Sequence, residues 1–185
     1  MVNNRDRKTI RRLVLISVPV IVVIISSLIL LPILFSQEPR SEVIGRSIIQ
    51  DVDLKIQLLN ESEVFLSEFQ GRPIILDFFA TWCTPCERQM PILQSLTIEY
   101  QNLQVISIAV DPLDTVDRLQ LYSQENNMSW VIGRDAELKA GSRFKATVIP
   151  TLVFVDAQGI IRQITHQETS HEELVSWIES RIFLF

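Results

Sequence analysis

Both cysteines of this 185-residue chain lie in one stretch, Phe79-Ala80-Thr81-Trp82-Cys83-Thr84-Pro85-Cys86. Two thiols with two residues between them can close into a small disulfide ring when the pair begins a helix. The free N–H groups and the dipole of a helix N-terminus favour the thiolate. The first thiol of such a pair therefore titrates below the value of about 8.5 for free cysteine. The stretch predicts a redox-active pair, and two structural cysteines in a tight turn are the alternative.

The residues on either side of the pair predict a turn from a strand into a helix. Residues 73–79 form a short apolar run, which is typical of a buried strand. Pro85 suits the first turn of a helix, where its missing N–H costs little. Residues 84–100 predict that helix, with Pro91 inside it, because apolar side chains recur every three or four positions: Met90, Leu93, Leu96 and Tyr100.

Residues 13–35 contain no charged side chain. A helix of that length reaches roughly 34 Å, enough to cross a hydrocarbon core of about 30 Å. Five basic residues and one acidic residue precede it, and such a flank is typical of the cytoplasmic side. The predicted organisation is a cytoplasmic tail (1–12), one transmembrane anchor (13–35), a linker (36–50) and a folded extracytoplasmic domain (51–185). The alternatives are a cleaved signal peptide, whose apolar segment would be shorter, and a buried core helix.

Charge and compartment restrict the possible functions. The formal net charge is −5, and the excess of acidic residues lies after the basic tail. An acidic domain argues against a nucleic-acid partner. Outside the cytoplasm no glutathione or thioredoxin pool keeps thiols reduced. A lone Cys-x-x-Cys pair in that compartment either oxidises other proteins or must be supplied with electrons.

The rest of the chain alternates between predicted strands and helices. Strands are expected over 52–59, 63–66, 103–110, 151–156 and 160–164, and helices over 114–127, over 135–141, where a glycine would end the helix, and from Ser170. This order predicts an α/β fold with a mixed central sheet flanked by helices. The cysteine pair then lies at the carboxyl end of strand 73–79, where open α/β sheets place their sites.

These residues resemble the thioredoxin fold and, more closely, the membrane-anchored extracytoplasmic thiol–disulfide oxidoreductases of the TlpA/ResA type. The resemblance covers residues 53–181. It rests on Phe-Phe-Ala-Thr-Trp-Cys-Thr-Pro-Cys-Glu-Arg-Gln-Met-Pro at 78–91 and on Val148-Ile149-Pro150-Thr151, which matches the loop of the family's cis-proline. The N-terminal hairpin before strand 73–79 and the added helix over 114–127 also match this family rather than a minimal thioredoxin.

The resemblance implies a role for each cysteine and for a nearby acid. Cys83, as the more exposed thiol, would attack a disulfide as the thiolate, and Cys86, more buried, would resolve the mixed disulfide. Asp77 would be a buried carboxyl with a raised pKa that relays protons to or from Cys86 through water. Glu87 departs from thioredoxin, which has a lysine there, and a negative charge at this position would raise the thiol pKa values.

The resemblance also implies that neighbouring residues shape the site. Trp82 would cover the disulfide and offer an apolar contact to a partner, and Pro85 would restrain the loop between the cysteines. Pro150 would follow a cis peptide bond, which sets the backbone of Ile149 beside the disulfide, where it can pair with an incoming peptide strand.

The predicted function is that of an enzyme, a thiol–disulfide oxidoreductase that acts on disulfide-containing proteins. By the resemblance, reduction is the favoured direction, for example in cytochrome c maturation, with electrons from a membrane thiol donor. No cofactor, bound metal or nucleic acid is expected.

Two alternative functions start from the same cysteines. A metal-binding protein would use Cys83, Cys86, His166 and His171, although zinc fingers place their two ligand pairs much closer in sequence. A thiol peroxidase would have its reactive cysteine in a Thr-x-x-Cys context with an arginine nearby. Thr81 lies two positions before Cys83, so the spacing does not match.

Overall fold

The computed structural model describes residues 44–48 and 53–182 of the chain, with side chains up to Ser180. The predicted cytoplasmic tail, the predicted anchor and most of the predicted linker lie outside the described residues. Among the described helices, none combines the length and the apolar character that crossing a bilayer requires.

A seven-stranded mixed sheet forms the centre of the described domain, in the order β2-β1-β5-β4-β3-β6-β7. Its strands are β1 (Lys55–Leu58), β2 (Glu63–Phe65), β3 (Ile74–Phe79), β4 (Gln104–Ala109), β5 (Val131–Arg134), β6 (Thr151–Val155) and β7 (Ile161–Thr165). Strands β3, β4 and β5 run parallel. Strand β6 pairs antiparallel with β3 and β7, and β1 pairs antiparallel with β2 and β5. The N-terminal hairpin and the mixed sheet are therefore confirmed.

Four α-helices and one 3₁₀ helix accompany these strands in the described residues, and all but the last helix connect two strands. They are the 3₁₀ helix Leu66–Phe69, α1 (Thr84–Glu99), α2 (Val116–Glu125), α3 (Lys139–Arg143) and α4 (His171–Ile182). Helices α1 and α2 are the connections between the parallel strands, as such strands require. The predicted helix over 114–127 is thus present as α2. Ser170 caps α4, because its hydroxyl accepts from the Glu173 N–H at 3.2 Å.

The alternation of side chains along β3 decides which residues face the site. All six residues of β3 are buried, and successive side chains of a strand point to opposite faces. Leu76 and Phe78 pack in one core cluster with α3. Phe79 packs on the other face, in the cluster that contains both cysteines. Asp77, two residues before Phe79, therefore lies on the face of the cysteines.

Strand β5 was not predicted from the sequence. It has four residues, of which only Ile132 and Gly133 are buried, so its apolar pattern is too short to recognise. Gly133 is required by a close approach of β1, because a Cβ at this position would lie 2.9 Å from the backbone oxygen of Gln57. The missed strand supplies the second parallel pair of the sheet.

The predicted helix over 135–141, ended by its glycine, is wrong. The helix begins later, at Lys139, and Gly141 lies inside it. The reason is Asp135, whose carboxylate accepts hydrogen bonds from the backbone N–H groups of Lys139 at 3.0 Å and Gly141 at 2.7 Å. Gly141 serves packing rather than termination, since a Cβ there would lie 3.2 Å from a methyl group of Val110.

Part of the predicted linker packs on the domain. Ser47 forms a β-bridge with Ile160, and the Gly45 N–H donates to the Ile161 oxygen at 2.7 Å. Ile48 is fully buried in the core cluster on the α3 side of the sheet. The folded domain therefore begins before residue 51, the boundary expected from the sequence.

Candidate active site

The cysteine pair lies where β3 has ended and α1 begins. Cys83 is the N-cap residue of α1, and its sulfur accepts from the Cys86 N–H at 3.2 Å. The two sulfurs form a disulfide. Pro85 occupies the first turn, where no intrahelical partner for its missing N–H is needed. The strand-to-helix turn expected from the sequence is therefore present, and the sulfur of Cys83 meets the positive end of the helix dipole.

The expectation that Cys83 is more exposed than Cys86 is wrong in the disulfide form. Each cysteine is 2% exposed. Both sulfurs belong to one apolar cluster with Phe79, Ala80 and Met90, which covers them equally. Exposure alone therefore does not distinguish an attacking from a resolving cysteine.

Asp77 is a buried carboxyl on the cysteine side of β3. It is 2% exposed, and burial raises its pKa to about 7, although a hydrogen bond from Ser107 acts in the opposite direction. Ser107 donates to Asp77 Oδ2 at 2.7 Å. The other oxygen, Oδ1, is buried without a hydrogen-bond partner. A carboxyl that titrates near neutral pH on the same face of the sheet as a thiol pair is a candidate to exchange protons with it.

Two acidic residues in the loop after β4 hold the turn that precedes Cys83. Asp114 is fully buried and accepts from the Thr81 N–H at 2.9 Å and from the Thr81 hydroxyl at 2.5 Å. Asp111 Oδ2 accepts from the Trp82 indole at 2.5 Å. Hydrogen bonds from the Leu113 N–H and from Trp82 lower the pKa of Asp111. The indole of Trp82 is thereby oriented, although the side chain is 62% exposed.

The loop before β6 contains the predicted cis peptide bond, between Ile149 and Pro150. Thr151 follows it and donates its hydroxyl proton to the Val148 oxygen at 2.6 Å. The same hydroxyl oxygen lies 2.9 Å from His166 Nδ1. A hydroxyl has one proton, so His166 must donate from Nδ1. Burial lowers the pKa of His166, and the charge of Lys145 lowers it further.

Helix α1 is hydrogen-bonded to the loop that follows β7. The Gln89 side chain is 1% exposed and makes two hydrogen bonds to the backbone of Thr169, one to the oxygen at 3.1 Å and one from the N–H at 2.8 Å. Arg88 forms an ion pair with Glu168 on the surface. These contacts fix the first turns of α1, and with them the cysteine pair, to the edge of the sheet.

Tyr122 of α2 packs in the apolar cluster that contains the two cysteines. Its ring stacks on Phe79 with centroids 5.8 Å apart. Its hydroxyl is buried without a hydrogen-bond partner. Burial raises the pKa of Tyr122 to about 12, and the charges of Glu87 and Asp77 contribute to the rise. Tyr122 therefore stays protonated at neutral pH close to Asp77.

A cleft of about 690 Å³ opens beside the active-site turn. Trp82 and Ile149 lie on its wall, as do Asp111, Asp135 and Leu138. Two apolar side chains of the lining, Trp82 and Leu138, are each about half exposed or more. The cleft therefore brings two predicted site residues, Trp82 and Ile149, to one surface that a peptide can reach.

Metal-ligating residues are not gathered in the described part of the chain, where no three histidine, cysteine, aspartate or glutamate side chains form a group that could hold an ion. His166 contacts Thr151, and His171 contacts Glu99 at 2.9 Å. The two histidines therefore have separate partners, at the start of β6 and on α1.

The sequence analysis missed several residues of the site, among them Gln89, Ser107, Asp114 and Trp130, whose indole donates to Ser107 Oγ at 2.9 Å. Gln89 could have been found, because it lies on the apolar side of a predicted helix, and a buried polar side chain needs a partner. Asp114 follows a predicted strand parallel to strand 73–79, and the carboxyl ends of such strands meet. Ser107 and Trp130 gave no such signal, since their contacts depend on the register of β3, β4 and β5.

The parallel β3-α1-β4 unit, the antiparallel β6–β7 hairpin and the disulfide at the start of α1 define a thioredoxin-like protein. Solved structures agree: a thioredoxin-like protein from Aeropyrum pernix superposes with a TM-score of 0.62 at 22% identity, over 69% of this chain and 89% of that chain. This likeness confirms the predicted thioredoxin-like α/β fold of the described domain.

Sequence comparison gives the family. A profile of the AhpC/TSA family matches residues 47–164, and the chain belongs to that family. A protein from Bacillus cereus named thiol-disulfide oxidoreductase ResA is 25% identical over 145 residues, 78% of this chain and 82% of its own length. A protein of the same name from Oceanobacillus iheyensis is 25% identical over 65% of this chain, and the match spans 62% of that relative. The predicted resemblance and the predicted enzyme class are confirmed by these relatives.

Proposed function

We propose that this chain exchanges disulfides with other proteins through Cys83 and Cys86, and that it acts as a reductant. The observation that carries the proposal is a disulfide at the N-terminus of α1 with a buried carboxyl, Asp77, on the same face of the sheet. Such a pair can be cycled between dithiol and disulfide. The relatives named ResA support the same class of reaction.

The proposed reaction proceeds in two exchanges. The thiolate of Cys83 attacks one sulfur of a protein disulfide, forms a mixed disulfide and releases the other sulfur as a thiolate. Cys86 then loses its proton to Asp77 and attacks Cys83, which re-forms the internal disulfide and releases the second substrate sulfur. The two released thiolates take up protons. Two electrons pass from this protein to its substrate, so a dithiol donor must reduce the pair again.

The substrate would approach at the cleft beside Trp82 and Ile149. An extended segment can pair with the backbone of Ile149, as peptide strands do at exposed backbone groups. The exposed apolar side chains of the cleft, Trp82 and Leu138, would bury apolar side chains next to the substrate cysteine. Proteins with a disulfide in a flexible or unfolded segment, such as an apocytochrome c before haem attachment, fit this requirement.

The proposed location is the outer face of a membrane. The support is the uncharged stretch 13–35 and the basic residues before it. In that compartment the oxidised pair would need electrons from within the membrane, and a membrane thiol protein is the donor that we propose. A metal-binding function and a thiol peroxidase stay as the alternatives.

Reduction of insulin by the purified full chain, in detergent and with a dithiol donor, tests the proposal. The wild-type protein should accelerate insulin precipitation, and Cys83→Ser should be no faster than the dithiol alone. Peroxide consumption at a comparable rate would favour the peroxidase, and one tightly held zinc ion per chain would favour the metal-binding protein. Wild-type protein with no activity on insulin or on any other protein disulfide would overturn the proposed function.

A further inference from the structure

Asp77 is the last member of a chain of hydrogen bonds that crosses three strands or their ends. The indole N–H of Trp130, the residue before β5, donates to Ser107 Oγ at 2.9 Å. Ser107, in β4, donates to Asp77 Oδ2 in β3 at 2.7 Å. Ser107 is fully buried and Asp77 is 2% exposed, so water does not compete for these bonds.

The direction of these bonds is fixed by chemistry. An indole nitrogen can only donate, so the hydroxyl oxygen of Ser107 accepts from Trp130. Its single proton then has one partner in the structure, Oδ2 of Asp77. Oδ2 is therefore held as an acceptor. A proton on Oδ2 would face the proton of Ser107, and the buried hydroxyl has no second acceptor among its described contacts.

The other carboxyl oxygen has a different environment. Asp77 Oδ1 is buried and has no hydrogen-bond partner in the structure. A buried acceptor left without a partner is costly when the group is charged. Protonation at Oδ1 removes the charge, and with it the larger part of this cost, and leaves the bond from Ser107 intact.

We propose that Ser107 and Trp130 are positioning residues which make Oδ1 the atom of Asp77 that gains and loses the proton during disulfide exchange. The role in exchange rests on the proposed function. The proton placement itself does not, because it follows from the contacts of the resting, oxidised protein. No reductant is needed for it.

The titration of Asp77 can be distinguished from that of the charged and titratable groups around it. From α2, Tyr122 senses the Asp77 charge, and its pKa is raised to about 12. From α1, the charge of Glu87 acts on Tyr122, and the disulfide cysteines, which pack on the same face of β3, do not titrate. From β6, the residue paired with Asp77 is Leu152. His166 contacts Thr151, its pKa is lowered by burial and by the charge of Lys145, and its own ring signals identify it.

The three tryptophans of the chain provide the test in unmodified protein. In oxidised, ¹⁵N-labelled full chain in detergent, the indole signal of Trp130 should shift between pH 5 and 9 with the midpoint of the Asp77 carboxyl carbon. The indole of Trp177, which lies in the core cluster of Leu174 and Ile178 and not in that of the cysteines, should not. Trp82 bonds to Asp111, whose pKa is lowered, so it should stay constant in this range. A Trp130 signal that stays constant while Asp77 titrates would overturn the proposal.

Variants test the same chain of bonds. Ser107→Ala should raise the midpoint of Asp77 by about one pH unit, since a donor to the charged form is lost. Trp130→Phe should raise it by about a third of that, since Ser107 becomes a weaker donor. Ser123→Ala, which removes a hydroxyl bonded to its own helix, is the matched control. Midpoints in Ser107→Ala and Trp130→Phe that equal the control would also overturn the proposal.

The pH profile of insulin reduction tests whether the hydrogen bonds from Trp130 through Ser107 to Asp77 affect disulfide exchange. Its midpoint should move in Ser107→Ala with that of Asp77, and Ser107→Thr, which keeps the hydroxyl, should restore it. If the Trp130 signal follows Asp77 but insulin is not reduced, the proton placement stands and the proposed function fails. If insulin is reduced but the profile does not move with Asp77, the positioning role in exchange is wrong.

Discussion

Asp114 holds Thr81 through two hydrogen bonds, one from the backbone N–H at 2.9 Å and one from the hydroxyl at 2.5 Å. The two residues are 33 positions apart in sequence. Asp114 precedes α2, and Thr81 lies in the turn before Cys83. The active-site turn is therefore fixed by a buried carboxylate from the neighbouring parallel connection, and not by its own residues alone.

Thr81→Val should weaken this attachment. The substitution keeps the shape of the side chain but removes the donor to a fully buried carboxylate, while the backbone bond and a contact with Arg118 at 3.5 Å remain. We expect a loss of about 1–3 kcal/mol in the free energy of unfolding, measured by urea denaturation, and several-fold slower insulin reduction. Thr97→Val, whose hydroxyl bonds within α1, is the control. Equal losses in both variants would mean that Asp114 does not hold the turn.

Gln89→Leu should destabilise the attachment of α1 to the loop after β7. Leucine fills a similar volume, but the N–H and the oxygen of Thr169, which is 3% exposed, lose their partners. Each buried group left unpaired costs about 1–3 kcal/mol, so we expect about 2–4 kcal/mol in urea denaturation. Gln124→Leu, at an exposed position of α2, should change little. A stable Gln89→Leu protein would show that water replaces the lost bonds.

The elements nearest the cysteines could be predicted from the sequence because their signals are local. Strand β3 is a run of buried residues, and α1 shows its buried face within its own sixteen residues. The cysteine pair, Pro85 and Asp77 belong to this continuous segment. The order of strands and helices then fixed the fold class.

The contacts that hold the site could not be predicted in the same way. Gln89 and Thr169 are 80 residues apart, and Asp77 meets Ser107 only through the register of β3 and β4. Strand β5 has four residues and no clear pattern. Exposure of Cys83 was predicted wrongly because it depends on packing by Ala80 and Met90 in the apolar cluster, which a motif does not contain.

Cys86→Ser should accumulate a mixed disulfide between Cys83 and a substrate cysteine. Resolution requires the second sulfur, so its loss should leave the covalent complex as the end product. Reduced variant incubated with oxidised insulin should give this adduct in a mass spectrum, while Cys83→Ser should give little. Because the two cysteines are equally buried, this pair of variants decides which one attacks. A larger adduct with Cys83→Ser would reverse the assignment.

The predicted anchor can be tested by adding charge to it. The double variant Ile24→Arg, Leu28→Arg places two charges within the uncharged stretch 13–35. Each arginine raises the free energy of membrane insertion by about 2.5–3.5 kcal/mol near the centre of a span. We expect the wild-type chain to resist alkaline extraction from membranes and the double variant to be released. Ser36→Arg, beyond the stretch, is the control. A C-terminal alkaline phosphatase fusion should be active, and activity only of a cytoplasmic reporter would contradict the proposed orientation.

Asp77→Asn should remove one pH-dependent component of stability. The pKa of Asp77 is about 7 in the folded chain against 3.8 for an aspartate in water, so the folded state binds this proton more tightly than the unfolded state. The contribution of Asp77 to stability is therefore complete below pH 4 and is lost as the pH rises through 7. The loss amounts to about 4 kcal/mol at pH 8.

The measurement for Asp77 is the free energy of unfolding at pH 4 and pH 8 in urea. Other groups titrate in the wild-type and variant proteins alike, so the difference between them isolates Asp77. We expect the variant to lose about 4 kcal/mol less than the wild type between the two pH values, and Glu125→Gln, at an exposed position, to behave as the wild type. Parallel pH profiles for Asp77→Asn and the wild type would mean that the carboxyl is hydrated and titrates as it does in water. In that case Asp77 would already be ionised at pH 5. Its carboxylate would then be too weak a base to serve as the proton acceptor for Cys86 near neutral pH.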